Sequence, residues 1–261
     1  MVTLFGFFLG LLFGSFCAAL IYRLRAGVSI AKGRSMCPNC RTQLAWYHNI
    51  PIGSFVFLRG KCASCKKPIS WRYPLIELFF GVLVGFVFWF HQSTLTNNPL
   101  LFRDIVIICI LGFIFLYDLL YQEIWDFSTW YVAGALFVFH LVSPFLFPAI
   151  AVPFVASMLI GSLIAGGFFA AQFFVSGGRW IGQGDIGLGV LMGVLLGWEK
   201  TLAALFFAYI IGALVGVWLL LTKQKEKGSE IAFGTFLSIA TVVMLFYGDM
   251  LIDWYLLLIG L

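Results

Sequence analysis

Apolar runs recur along almost the whole chain, most of them close to the roughly 20 residues that an α-helix needs to cross a bilayer. They fall at about 3–22, 73–91, 102–118, 129–147, 151–174, 186–198, 201–222 and 232–258. A β-barrel would instead show short segments of alternating hydrophobicity. The expectation is an all-α, polytopic membrane bundle of about eight transmembrane helices. Composition agrees: 62% of the 261 residues are hydrophobic and only 10% are charged, against roughly 25% charged in soluble domains. The first run lacks a basic segment ahead of it, and Arg23 and Arg25 follow it. It therefore reads as a retained helix and not as a cleaved signal.

The basic residues predict an orientation, because Lys and Arg concentrate in cytoplasmic loops. Ten of the sixteen lie between Arg23 and Arg72, a stretch without Asp or Glu. Lys223, Lys225 and Lys227 form a second cluster, and Arg179 lies in a third loop. With eight spans these fourteen share one side, leaving Arg103 and Lys200 opposite. That places the loops 23–72, 119–128, 176–185 and 223–230 in the cytoplasm and both termini outside it. Contact of these cations with anionic lipid accounts for the net charge of +5 without a nucleic-acid partner.

Residues 24–72 interrupt the apolar pattern with polar, basic and turn-forming residues. The expected organisation is a first helix at 1–23, a cytoplasmic insert at 24–72 and a helical bundle at 73–261. Cys37 and Cys40 form one Cys-x-x-Cys pair, and Cys62 and Cys65 form another after twenty-one residues. This spacing reads as a tetrahedral, zinc-ribbon-like site, which would substitute for the core that so small an insert lacks. Two disulfides are the alternative, and a reducing cytoplasm opposes them. Four thiolates leave zinc no open position, so the metal would be structural. His48 lies between the pairs as a surplus ligand candidate. Cys17 and Cys109 read as packing residues, and His91 and His140 as interfacial ones.

Eleven carboxylates remain to be placed. Asp104 pairs with its neighbour Arg103. Glu226 and Glu230 are interleaved with lysines in a loop. Glu77, Asp118, Glu123, Asp126 and Asp185 fall near the cytoplasmic face. Asp118 ends the third apolar run, beside a belt formed by Tyr117, Tyr121, Trp125 and Trp130. Asp126 follows eight residues later and reads as a helix cap ahead of Ser128 and Thr129. Asp185 opens the sixth run after Gly182 and Gly184. Gly189, Gly193 and Gly197 continue its helical stripe, where a neighbouring helix could approach closely. An acid at membrane depth is a functional-site hypothesis by default. Two acids that met there could share a proton and activate water, one as base and the other polarising a carbonyl.

In this order the motifs resemble those of the type IV prepilin peptidases, membrane aspartyl proteases of the GxGD class. The likeness runs through Gly14-Ser15-Phe16, the Cys37–Cys65 insert, Asn49-Ile50-Pro51, Ile69-Ser70-Trp71-Arg72-Tyr73-Pro74 ahead of Glu77, and the Asp118–Asp126 segment. It continues through Gly182-Gln183-Gly184-Asp185 and Ile231-Ala232-Phe233-Gly234. The family's usual Lys two residues after the GxGD Asp is Gly187 here.

The resemblance implies an aspartic endopeptidase of the bacterial inner membrane with Asp118 and Asp185 as its catalytic pair. Its substrates would be type IV prepilin or pseudopilin precursors, cut after a glycine that ends a short basic leader. It implies a second activity, N-methylation of the new amino terminus with S-adenosylmethionine, for which Glu77 is a candidate residue. Two other classes compete: a proton-coupled transporter using the two aspartates as a relay, and a scaffold docking through the zinc insert. No internal repeat of the kind transporters show is visible.

Overall fold

The computed structural model describes every residue except 31, 94–98, 147–153, 224–231 and 261. Lys225, Glu226, Lys227, Glu230 and Ile231 therefore lie outside the described residues. The described residues form α-helices, one 3-10 turn at Trp46–Asn49 and no strands. The helices are α1 (Val2–Arg25), α2 (Gly53–Phe57), α3 (Arg72–Phe90), α4 (Pro99–Tyr121), α5 (Asp126–Leu146), α6 (Val155–Ser176), α7 (Gln183–Leu221) and α8 (Phe233–Leu258). Seven of them, all but α2, are long and apolar enough to cross a membrane. The chain is thus a multi-pass, all-helical membrane protein. It divides into two compact units, Met1–Gly112 and Phe113–Leu261.

In the first unit α1 packs along α3. The surface between them is built on glycine, because helices embedded in apolar surroundings gain from close backbone approach and not from expelling water. A Cβ on Gly10 would strike the Phe80 carbonyl, and one on Gly14 would lie 2.6 Å from the Glu77 Cα. At the far end of α3, His91 and Asp104 are buried and joined at 2.8 Å, and Arg103 grips the other oxygen of Asp104 at 2.7 Å. His91 is therefore buried in a hydrogen-bonded cluster at that end of the helix. Its burial is tolerable because each charge has a bonded partner. His140 in the second unit is likewise buried, 3.3 Å from the Met158 sulfur.

In the second unit α7 is the organising element. Its 39 residues would make a straight rod of about 58 Å, nearly twice the hydrocarbon thickness. The helix breaks at Gly197, whose φ of 74° and ψ of 176° suit a residue without a Cβ. The Thr201 hydroxyl reaches the Met192 carbonyl at 3.4 Å, and Tyr209 lines the same cavity as Asp185. A straight helix would hold Asp185 and Tyr209 about 36 Å apart, so the chain reverses at Gly197. The two arms correspond to the expected segments 186–198 and 201–222.

The first arm lies against α6. A Cβ on Gly193 would run into the backbone of Gly161 and Ser162, and one on Gly189 would come within 3.0 Å of Ala165. Gly193→Val is expected to force these helices apart and cost about 1–3 kcal/mol. The check is the midpoint of thermal unfolding in detergent. An unchanged midpoint would mean that this close approach contributes nothing to stability.

Candidate active site and metal centre

Asp118 and Asp185, distant in sequence, face one cavity of about 590 Å³ in the second unit. Both are buried, at 4% and 7% exposure. Asp118 sits in the last turn of α4. One of its oxygens accepts the Thr235 backbone N–H at 2.6 Å and the Thr235 hydroxyl at 3.0 Å. Thr235 lies in the first turn of α8, where backbone N–H groups lack helical partners and the helix dipole favours an anion. Gly234 permits this approach: a Cβ there would lie 3.1 Å from the same oxygen.

Asp185 uses the same device on its own helix. It is the third residue of α7, and one of its oxygens accepts the Gly182 N–H at 3.2 Å. The Gly182 carbonyl in turn accepts the Asp185 N–H, also at 3.2 Å. The other carboxylate oxygen is buried and has no hydrogen-bond partner among the described residues. Gly184 is required by contact, because a Cβ there would lie 2.5 Å from Ile124.

Other walls of the cavity include Glu123, Asp126, Arg179, Gln172, Tyr209 and Phe233. Gln172 and Tyr209 hydrogen-bond each other at 3.0 Å. Asp126 begins α5, and the Thr129 hydroxyl donates to its backbone carbonyl at 3.0 Å. At Gly187, where the resembling family has Lys, an added Cβ would lie 2.5 Å from the Thr129 hydroxyl and 3.0 Å from the Trp130 ring nitrogen. Thr129 and Trp130 fill the space that a lysine stem would need. Thr235 was not singled out from the sequence, although it directly follows the Ile231–Gly234 motif.

The four insert cysteines converge in the first unit. One sulfur from each of Cys37, Cys40, Cys62 and Cys65 lies within 4.8 Å of the others. The Cys37 and Cys65 sulfurs are 4.0 Å apart. Tetrahedral zinc with bonds of about 2.3 Å spaces its sulfurs by about 3.8 Å, so the donor set fits that ion. The two knuckles repeat one geometry. In the first, Cys37 N–H donates to the Thr42 carbonyl and Arg41 N–H to the Cys37 carbonyl. In the second, Cys62 donates to Lys67 and Lys66 to Cys62. Arg41 and Lys66 both have φ near 58°, at 57° and 59°.

Hydrogen bonding to the Thr42 hydroxyl and backbone brings the Cys40 thiol down to about 6. Cys65 is favoured as a thiolate by the Lys67 backbone, yet burial and the neighbouring thiols push it up to about 11. Four such close thiols shed their protons together only around a cation. His48 is not in the cluster.

Glu77 is also buried, and it serves the insert from within α3. Its carboxylate accepts the Ile52 N–H at 2.7 Å. A cavity of about 500 Å³ opens beside it, lined by Ser15, Arg23, Arg34, Cys37, His48 and Asn49 among others.

Two buried aspartates that face one cavity, a glycine-dependent turn before the second and a four-cysteine insert mark the class: a multi-pass membrane protein whose carboxylates are candidate catalytic groups. The comparisons agree with that class. Residues 8–91 match the bacterial Peptidase A24 N-terminal domain, and residues 105–217 match the Type IV leader peptidase family. A prepilin leader peptidase/N-methyltransferase of Bacillus subtilis is 32% identical over 96% of this chain and 96% of its own. Proteins of that name from Neisseria gonorrhoeae and Stutzerimonas stutzeri are 30% and 28% identical. Each of these two alignments covers 95% of this chain, and 92% and 91% of the respective relative. No solved structure matches significantly. The chain belongs to the type IV leader peptidase family.

Proposed function

We propose that this chain cleaves prepilin-type or pseudopilin precursors after a glycine and then methylates the new amino terminus. The observation that carries the peptidase reading is the single cavity faced by Asp118 and Asp185. In this mechanism one aspartate takes a proton from water as the oxygen adds to the scissile carbonyl. The other donates its proton to the carbonyl oxygen. The tetrahedral intermediate then collapses: the C–N bond breaks, and the leaving amine takes up a proton from the pair. The pair titrates as a unit, so the roles belong to it jointly. Glu123 and Asp126 give the cavity a negative lining suited to a basic leader.

The basic loops support an inner-membrane location with this cavity at the cytoplasmic face. For methylation, S-adenosylmethionine supplies an electrophilic methyl group. The cavity beside Glu77 has the size and mostly apolar walls of a small-molecule site. Arg23 and Arg34 suit the donor's carboxylate, and Glu77 shapes the site by holding Ile52. Nothing among the relatives supports the transporter reading.

The test is processing of a prepilin-type precursor in membranes by the wild type and by the aspartate variants. A positioning role for Thr235 adds a sharper expectation. Thr235→Val removes the hydroxyl donor to Asp118 and should lower kcat by about 10–100-fold, with KM little changed. Thr235→Ser should restore most of it. If valine and serine behave alike, the hydroxyl is not what positions Asp118.

A further inference from the structure

Taken as a whole, the insert at 24–72 reads as polar and basic. Residues 42–58 do not fit that description: these seventeen residues contain no Lys, Arg, Asp or Glu, whereas Arg41 and Arg59 flank them directly. The segment comprises the Trp46–Asn49 turn, a tight bend and α2. It carries three strongly exposed apolar side chains, Phe57 at 88%, Trp46 at 75% and Val56 at 64%.

Two contacts set its depth. The Asn49 carbonyl accepts the Ser15 hydroxyl at 3.4 Å, and the Ile52 N–H donates to Glu77 at 2.7 Å. Ser15 lies eight residues inside α1 from Arg23, about 12 Å along the axis. Glu77 lies five residues inside α3 from Arg72, about 8 Å along the axis. Arg23, Trp71 and Arg72 are the basic and aromatic residues that mark an interface on those spans. The segment therefore descends beside α1 and α3 to the depth at which interfacial amphipathic elements lie, about 5–10 Å into the headgroup–acyl boundary.

The backbone meets the demand of that environment, where polar groups need internal partners. His48, Ile50, Ser54, Val56 and Leu58 each donate to a carbonyl within the segment. Pro51 has no N–H to satisfy. The Gly53 N–H folds back on the Pro51 carbonyl, making a γ-turn centred on Ile52. The φ of 57° at Ile52 is strained for a β-branched residue, and the Glu77 carboxylate holds it there.

The segment is two-faced. His48, Asn49, Ser54, Phe55 and Leu58 wall the neighbouring cavity, whereas Trp46, Val56 and Phe57 are not among its walls. We propose that residues 46–58 form a re-entrant wedge whose Trp46, Val56 and Phe57 sit in lipid, in the leaflet on the insert's side, continuous with the lipid-facing surfaces of α1 and α3.

The test places a small environment-sensitive fluorescent residue at Phe57, Val56 or Lys67 of the full-length protein. Each variant is reconstituted in vesicles of phosphatidylethanolamine and phosphatidylglycerol. Positions 56 and 57 should be quenched several-fold more by a nitroxide-bearing lipid than by aqueous iodide, and position 67 the reverse. In addition, Phe57→Glu should weaken lipid quenching of the probe at 56. Iodide quenching at 57 equal to that at 67 would overturn the wedge. So would loss of lipid quenching on adding an apolar prepilin-type helix, which would make the face a peptide dock instead.

Discussion

Asp118→Asn and Asp185→Asn are each expected to abolish precursor cleavage while leaving the protein folded. Asparagine keeps the shape of the side chain and a carbonyl oxygen. That oxygen can still accept the Thr235 N–H and hydroxyl at position 118, or the Gly182 N–H at position 185. What it loses is the ability to exchange a proton, which contributes typically 10²–10⁴-fold to an acid–base step. Because the two act together, the double variant should be scarcely worse than either single one. The measurement is the rate of leader removal from a prepilin-type substrate, with expression and thermal midpoint as controls. If both single variants still cleave at a normal rate, the dyad assignment fails and proton transport becomes the next hypothesis to measure.

Loss of the four-cysteine site, which we propose holds zinc, is expected to have the second-largest effect, on structure more than on chemistry. The knuckles have short loops, two isolated bridges (Met36 with Gln43, Lys61 with Pro68) and little apolar core. Structural zinc binding to sites of this kind is worth about 10–16 kcal/mol of apparent free energy at neutral pH. The purified wild type should carry one zinc per chain by elemental analysis. Cys37→Ser and Cys62→Ser should lose most of it. Limited proteolysis should then cut within 36–68 while the membrane helices remain intact. A metal-free wild type with paired disulfides would sink this reading.

Much of the candidate site is legible in the sequence, for an electrostatic reason. In a chain that is 62% hydrophobic, a carboxylate beside an apolar run stands out, because an ionised group at that depth must have partners or a function. Asp118 and Asp185 were visible on those grounds, and the GxGD turn added Gly184, whose lack of a side chain the contact with Ile124 explains. The cysteine spacing announced a four-thiolate site, since two intervening residues turn both sulfurs of a knuckle to one side. Even the reversal in α7 was close to the surface of the sequence. The expected boundary between 198 and 201 lies beside Gly197 because no single crossing takes up 39 apolar residues.

Other features had no local signal. Thr235 is one threonine among several, and only the packing of α8 against the end of α4 aims its N–H and hydroxyl at Asp118. His91 and Asp104 looked like separate polar residues near helix ends; folding buries both and joins them, with Arg103, in one cluster. Glu77 looked like a candidate for methyl transfer, and its bond to the Ile52 N–H is a long-range contact that strains a γ-turn into place.

The sequence by itself determined which segments are helical, which carry charge and which residue types are available for metal binding and proton transfer. Those properties depend on hydrophobicity and spacing along the chain. Only the tertiary structure decided that two aspartates 67 residues apart share a cavity, and that Thr235 serves one of them. It also decided that an uncharged stretch of the insert descends to the level of Ser15 and Glu77. Those facts depend on which helix faces meet, and in this chain glycine stripes allow the meeting by letting backbones approach within contact distance.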